Sequence, residues 1–404
     1  MPTPSLLIVP ARFKTGKLYS QIPTSGAGDF TVTRNTAARR FDSAGLVASV
    51  ASGIPRLDYY TSGGVTGCPA LLVEPAATNV LSYSEEFDNA AWGKSAMTVS
   101  TGTTALFTAP DGTTNADKII ATSGNVAHNI NRSGIASAAY TFSVFAKAGE
   151  ESVISLWLRG ASVRAEFNLV SGTVSNITTT SARIENYGNG WYRCTVYDST
   201  AGTTAHVYGR GGAAYAGNGS DGFYLWGAQL ETGSVATSYI PTTTGTGSRS
   251  ADVVSVSGAV SGSIGQTEGT IYVEVDVRNF TNSARIIALS DGTGFNAIPL
   301  QLLVDGGLNF IRVPINALSS PQTDIIASMS LGVNKIALGY AQNNVALYLN
   351  GTSVGTDTSC NIPATNKVDL GSLNGGTFFN NRIRSAALYT TRLTNAELQS
   401  LTTL

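Results

Sequence analysis

Cysteine, histidine and charge are all scarce in this chain. Its 404 residues hold three cysteines, Cys68, Cys194 and Cys360. An odd, scattered set builds neither a disulfide framework nor a zinc site, and each is expected as a small buried hydrophobe. The two histidines, His128 and His206, lie in separate polar stretches, without a second histidine or a cysteine at metal-ligand spacing. That pattern argues against a metal centre or a histidine-based acid–base site. Serine is plentiful, yet no G-x-S-x-G elbow occurs, so the usual signal of a Ser/His/Asp hydrolase is missing. Charged residues make up 13% and the net charge is −1. A charged disordered tail and a coiled-coil stalk are thereby excluded, and nucleic acid and anionic membranes are not expected as partners. Long apolar runs are lacking too. Pro10 cuts the N-terminal run short, and nothing approaches the ~18 apolar residues of a membrane helix. No basic region precedes that run, so the start of the chain does not read as a signal peptide, and synthesis in a cytoplasm is expected.

What the chain does have is glycine, 44 residues of it, with abundant threonine and serine and with apolar residues that alternate. Apolar stripes of three or more helical turns are absent; period-two alternation recurs instead, so the fold class is all-β. In Tyr140–Ala146, Tyr140, Phe142 and Val144 face one way and Thr141, Ser143 and Phe145 the other. Val153–Leu158 sets Ile154, Leu156 and Leu158 against Val153, Ser155 and Trp157. In Phe223–Gln229, Tyr224, Trp226 and Ala228 alternate with Phe223, Leu225 and Gly227, a strand apolar on both sides that suits the middle of a sandwich. Asp111-Gly112, Asn189-Gly190, Asn218-Gly219 and Asp221-Gly222 mark turns. Further on, Ile271, Val273, Val275 and Val277 alternate with Tyr272, Glu274, Asp276 and Arg278. A hairpin turns at Asn350-Gly351, and Thr394-Asn395-Ala396-Glu397 is a capping box that opens a short helix.

Length and composition divide the chain into four parts. Residues 1–80 carry seven basic against four acidic residues and recurrent Pro and Gly. They are expected as an extended, small-strand anchor, made of extended arms and small strands that lean on a neighbour, with strands at Asp29–Thr33 and Leu71–Glu74. A jelly-roll-like β-sandwich follows over 81–241, then a linker over 242–266, flexible by composition and centred on Thr242–Ser250. A second β-sandwich occupies 267–404. Both sandwiches are expected to fold without the first segment.

Several phrases carry a resemblance. The order EPAATN (74–79), YSEEF (83–87), Trp92, NGWYR (189–193), YLWGAQLE (224–231) and ATSYIPT (236–242) resembles the carbohydrate-binding-like β-sandwich of bacteriophage head-spike and tail-fibre proteins. TRNTAARRFDSAGLVASV and PRLDYY resemble the particle-proximal region of the same proteins. ALYLNGTSVG and RIRSAALYTTRLTNAELQSL are similar to the closing strands of concanavalin A-like (laminin G-like) domains. The resemblance implies a virion structural protein, a head or tail fibre or spike. Such a protein joins capsid or tail proteins through its N-terminal segment, assembles as a homotrimer and presents its sandwiches to host glycans. A soluble or surface lectin-like protein outside any virion is the alternative, and a glycan depolymerase a weaker one.

The enzymatic alternative turns on Glu274-Val275-Asp276. Concanavalin A-like glycoside hydrolases carry carboxylates at alternate positions of one strand, in the pattern E-x-D-x-E. Here the last position is Arg278, or Asn279 with one extra residue, and neither can protonate a leaving group. The expectation is therefore a binding protein and not an enzyme, with no catalytic residues and no cofactor. Jelly-roll domains of the resembled kind often hold a structural calcium, but no D-x-D-x-D-G loop is present. Sugar binding uses aromatic platforms with a few convergent polar groups. The candidates for it are Trp157, Arg159, Tyr187, Trp191, Tyr192 and Tyr215.

Overall fold

The computed structural model describes residues 2–61, 64–101, 107–159 and 163–404. The chain is all-β, and the α-helix among the described residues is Asn395–Thr402. Thr394 caps it, with Glu397 completing the box, and Leu398 seats it against Ala337, Tyr348 and Tyr389.

The first sandwich packs two six-stranded sheets. The front sheet runs, edge to edge, Gly93–Ser95, Asn129–Arg132, Ala205–Gly209, Val153–Leu158, Arg164–Asn168 and Thr173–Ser175. The back sheet runs Met97–Thr101, Asp117–Ala121, Gly222–Thr232, Tyr140–Lys147, Trp191–Tyr197 and Ser181–Asn186. Alternation decides what lies between them. Phe142, Val144, Ile154, Leu156, Leu158, Cys194, Val196 and Val207 point inward and share one core. The central Gly222–Thr232 strand is buried on both faces, as its apolar run requires. Its alternation changes phase near Gly227 (φ 61°), where its pairing with Tyr140–Lys147 shifts register. Trp226 consequently faces away from the core while Ala228 and Leu230 face into it.

The second sandwich contains far more than residues 267–404. Its eight-stranded sheet joins Thr352–Asp357, Val345–Leu349, Gly332–Ala341, Glu268–Val277 and Asn381–Tyr389 to Gly64–Val73 and Leu57–Thr61, with Leu6–Ile8 pairing Asn381–Tyr389 as well. Its nine-stranded sheet begins with Phe13–Lys14, Lys17–Leu18, Phe30–Thr33 and Val253–Ser257 before reaching Lys367–Leu370, Arg285–Ser290, Ala297–Asp305, Leu308–Ala317 and Ser320–Ser328. The first segment's small strands therefore lean on a neighbour as expected, but they do so as members of both sheets and not as extended arms. Leu6, Ile8, Leu18, Phe30, Val32, Leu57, Leu71 and Val73 share a core with Ile271, Val273 and Val275. Short strands between prolines and glycines look too broken for a core of their own; Leu6–Ile8, Lys17–Leu18, Phe30–Thr33, Leu57–Thr61 and Gly64–Val73 each add one or two apolar side chains to a core that already exists. The expected linker is ordered likewise. Gly247–Arg249 pairs Ala77–Asn79, and Val253–Ser257 lies between Phe30–Thr33 and Lys367–Leu370.

The first sandwich is thus an insertion between two strands of the second, Gly64–Val73 and Val253–Ser257. At the crossing, buried charges hold both passages of the chain. Arg34 Nη1 donates to Asp252 Oδ1 at 2.9 Å and Arg56 Nη1 to Glu74 Oε2 at 2.6 Å. Arg56 also pairs with Asp252, and Arg249 with Glu74. Burial alone would raise the Glu74 carboxyl; Arg249 and Arg56 outweigh it and hold the group well below the usual carboxylate range.

Two local expectations need correction. Cys194 and Cys360 are buried, but Cys68 is exposed. Gly222 is not a positive-φ turn residue. It opens a strand where a Cβ would lie 2.0 Å from the Ile119 carbonyl oxygen, so close backbone approach explains the glycine. Asn189 and Gly190, by contrast, both adopt positive φ, at 51° and 79°.

Candidate functional site

The two sheets of the first sandwich differ in what lies outside them. On the back sheet, Phe145, Trp191 and Trp226 pack with Tyr239, Val47, Ala109 and Ala116 in a separate buried cluster. On the front sheet, the outward positions form two rows set by the register. Asn131, His206, Trp157 and Arg164 lie side by side on four adjacent strands. The neighbouring row is Asn129, Tyr208, Ser155 and Glu166. Each comes from a strand whose intervening residues, Ile130, Val207, Leu156 and Ala165 among them, are core.

Trp157 organises this face. Its ring stacks on Tyr208 with centroids 4.0 Å apart, and its Nε1 donates to Ser155 Oγ at 2.7 Å. The Arg164 guanidinium lies over the ring, 5.1 Å from its centroid. A 3-10 turn, Arg210–Gly212, passes above. A Cβ on Gly212 would lie 2.3 Å from the Trp157 ring, so glycine lets the turn descend onto the indole. Trp157 is consequently only 7% exposed. The accessible rings are Tyr208 and His206, both half-buried and nearly parallel, with centroids 5.7 Å apart. Burial pushes the His206 imidazole below its usual pKa, favouring the neutral ring. Beside it, an open hollow is lined by Arg159, Thr203, Thr204 and His206. Arg159 is exposed there and lies 3.6 Å from Asp198.

At the other end of the face, Arg210 covers the Tyr215 ring at 4.4 Å. The Tyr215 hydroxyl donates to buried Glu151 at 2.8 Å. Burial first, and the Glu151 contact second, push the Tyr215 hydroxyl well above its usual pKa. His128 is fully buried, with main-chain carbonyls 2.6 and 3.1 Å from its two ring nitrogens, and belongs to the framework.

Of the six residues singled out in the sequence, Trp157 and Arg159 therefore lie along the front face, and Tyr215 is buried at its end beneath Arg210, with its hydroxyl on the core side of Gly209. The other three do not. Tyr187 packs between Phe41, Tyr60 and Phe145, where the sandwiches meet. Trp191 is buried on the back sheet, with Nε1 donating to the Thr108 carbonyl at 3.0 Å. Tyr192 is half-buried against the first core, beside Gly172. Sequence reasoning missed His206, Tyr208, Arg164 and Arg210. The signal was present in AHVYGR, where His206, Tyr208 and Arg210 alternate with Ala205, Val207 and Gly209.

The carboxylates of Glu274-Val275-Asp276 are engaged elsewhere, Glu274 with Arg384 at 3.1 Å and Asp276 with Arg278 at 2.9 Å. Among the described residues, no group of three or more His, Cys, Asp or Glu is placed to hold a metal ion.

No protein-family model and no curated protein sequence matches the chain. Among solved structures, the chain is similar to the CBM40 of the Ruminococcus gnavus IT-sialidase, bound to alpha2,3 sialyllactose. The identity is 16% over 34% of this chain and 84% of that one, with a TM-score of 0.29. Domain 4 of AbnA, a GH43 extracellular arabinanase from Geobacillus stearothermophilus in complex with arabinotriose, is 15% identical over 42% of this chain and 83% of that one, with a TM-score of 0.32. The Trypanosoma rangeli sialidase in complex with the inhibitor DANA is 11% identical over 71% of this chain and 60% of that one, with a TM-score of 0.27. Likenesses this slight leave the functional reading to the chain's own residues.

Proposed function

We propose that this protein binds glycans on the front sheet of its first sandwich and does so as a structural component of a phage particle. One observation carries the binding half. On the back sheet the outward Phe145, Trp191 and Trp226 are buried, whereas the front sheet sets Tyr208 and His206, over a buried Trp157, among Asn131, Arg164 and Glu166. Aromatic rings beside groups that donate and accept hydrogen bonds are what a sugar's apolar face and hydroxyls require. Ion-paired Glu274 and Asp276 favour binding over hydrolysis. The particle half rests on the resemblance of the 74–92 and 187–242 phrases to head-spike and tail-fibre proteins. On that reading the chain is a homotrimer made in the host cytoplasm, attached to capsid or tail proteins through residues 1–80. Because those residues are folded into the second sandwich, attachment falls to their exposed surface, such as Phe13 and Lys14.

A glycan array probed with the full chain tests the first half. Tyr208→Ala should weaken the retained glycans by about tenfold, the loss of one stacked ring. Array signals that Tyr208→Ala leaves unchanged would remove the front face from consideration. Mass spectrometry of purified particles tests the second half, and absence of the chain from them would leave a lectin-like protein.

A further inference from the structure

On the side of the first sandwich opposite the front face, a cleft of 400 Å³ opens between the two sandwiches. One wall is the outward side of the back sheet's edge, where Arg183, Glu185 and Tyr197 point away from the core. The other wall belongs to the second sandwich and includes Phe280, Val304, Asn309 and Leu331. Arg183 Nη2 pairs with Glu185 Oε1 at 2.6 Å, and Arg183 Nη1 donates to the main-chain carbonyl of Arg278. The floor of the cleft is thus an ion pair that also ties one sandwich to the other.

The lining selects among ligand classes. A wholly apolar molecule would strip water from the Arg183–Glu185 pair and return nothing. Arg278, which also lines the cleft, has its guanidinium paired with Asp276 and laid over the Tyr60 ring. An anion would therefore gain Arg183 but meet the Glu185 carboxylate, and a cation would meet the reverse. A neutral polyhydroxylated ring satisfies both, accepting from the guanidinium and donating to the carboxylate. Its apolar face matches Tyr197 and Phe280, both half-buried, and Leu331, which is 59% exposed. The volume falls in the range of small-molecule sites, and clefts between domains are where such sites concentrate.

We propose that this cleft is a second saccharide site, which takes one neutral sugar unit against Tyr197 and Phe280 with its hydroxyls on Arg183, Glu185 and Asn309. It is separate from the front face and shares no residue with it. A sugar held there touches both sandwiches and fastens them together.

Saturation-transfer NMR on the full chain tests this with four probes at millimolar concentration: methyl glucoside, methyl galactoside, methyl mannoside and N-acetylglucosamine. At least one should receive saturation from the wild-type protein. The signal should persist in Tyr208→Ala, which separates this site from the front face. The cleft variants are read in that Tyr208→Ala background, where the front face is disabled. There Val304→Trp, which fills the cleft, should cut the signal about tenfold. Glu185→Gln, which removes the charge and keeps the shape, should weaken binding about threefold, the worth of one charge-assisted bond beyond a neutral one. If Val304→Trp misfolds, Glu185→Gln decides the matter alone. No transfer to any of the four probes overturns the proposal. So does transfer that survives both cleft variants or disappears with Tyr208→Ala alone.

Discussion

Removing residues 2–35 should unfold the second sandwich while sparing the first. The deletion takes Leu6, Ile8, Leu18, Phe30 and Val32 out of the second core, each of them 0–2% exposed. At ~1.5–3 kcal/mol for each buried apolar side chain, the loss is about 10 kcal/mol, an upper figure because unfolded chains already bury some surface. Ladder bonds are lost besides, from Leu6–Ile8 to Asn381–Tyr389 and from Phe30–Thr33 to Val253–Ser257. Arg34 goes as well, leaving buried Asp252 with one guanidinium fewer. A domain's whole stability is about 5–15 kcal/mol, so the second sandwich should not survive. The first sandwich draws its main core from Leu81 to Leu230 and should still melt cooperatively. Calorimetry of the full chain beside 36–404 should show one transition lost and one retained. Limited trypsin digestion should then cut freely beyond residue 250 and leave the region 81–241 resistant. A truncated chain that keeps both transitions at their original temperatures would refute the reasoning and restore a detachable anchor.

Breaking the charge cluster at the crossing should be nearly as damaging. Arg56→Ala leaves Glu74 and Asp252 buried with fewer partners and should cost ~3–5 kcal/mol by urea denaturation; a cost under about 1 kcal/mol would mean that water replaces the guanidinium. Glu74 titrates below the usual carboxylate range, so its contribution is complete above about pH 5 and is lost as the pH falls through the folded-state value; Glu74→Gln should flatten this acid limb of the stability curve. Asp117 has the opposite sign. Burial, with nearby Asp88 adding to it, pushes its carboxyl up to about 7 against the hydrogen bond from the Phe87 amide. The protonated form suits the fold, so stability should decline from about pH 4 to pH 7 by up to ~4 kcal/mol, and Asp117→Asn should remove that decline. An unchanged slope in Asp117→Asn would mean the carboxylate is solvated in the folded protein.

Alternation makes most strands legible in the sequence. Ile271, Val273, Val275 and Val277 are all fully buried, and Asn350-Gly351 turns a two-residue hairpin with positive φ at both positions. The phrases that carry the resemblance turn out to be a buried polar knot. Asn79 Nδ2 donates to the carbonyls of Ala228 and Ile240, Gln229 Oε1 accepts from the Ile240 amide, and the Tyr239 hydroxyl lies between Ser84 and Glu85. Buried amides and carboxylates tolerate few substitutions because each unmet partner is costly. A sequence signal of that kind identifies a framework, and it drew attention to Tyr187 and Trp191, which the framework buries. The front face, by contrast, is written in ordinary residues whose only sign is their phase on four strands. The insertion was not legible because strand order is a long-range property. Nothing local to Phe30–Thr33 says that its neighbour is Val253–Ser257, some 220 residues away.

The insertion also explains why the two faces of the first sandwich differ. Its entry and exit are adjacent, since Ala77–Asn79 and Gly247–Arg249 pair with each other. A sandwich held at one such point could swing about it. Two further contacts oppose that motion. Phe41 and Tyr60 from the first segment enclose Tyr187, and Arg183 reaches the carbonyl of Arg278. All of these attach to the back sheet or its edge. Restraint and solvent access are therefore divided between the sheets: the back sheet commits Phe145, Trp191 and Trp226 to docking, and the front sheet keeps Tyr208 and His206 at the surface. A ligand on the front face can bind without disturbing the joint, whereas one in the inter-sandwich cleft cannot avoid it.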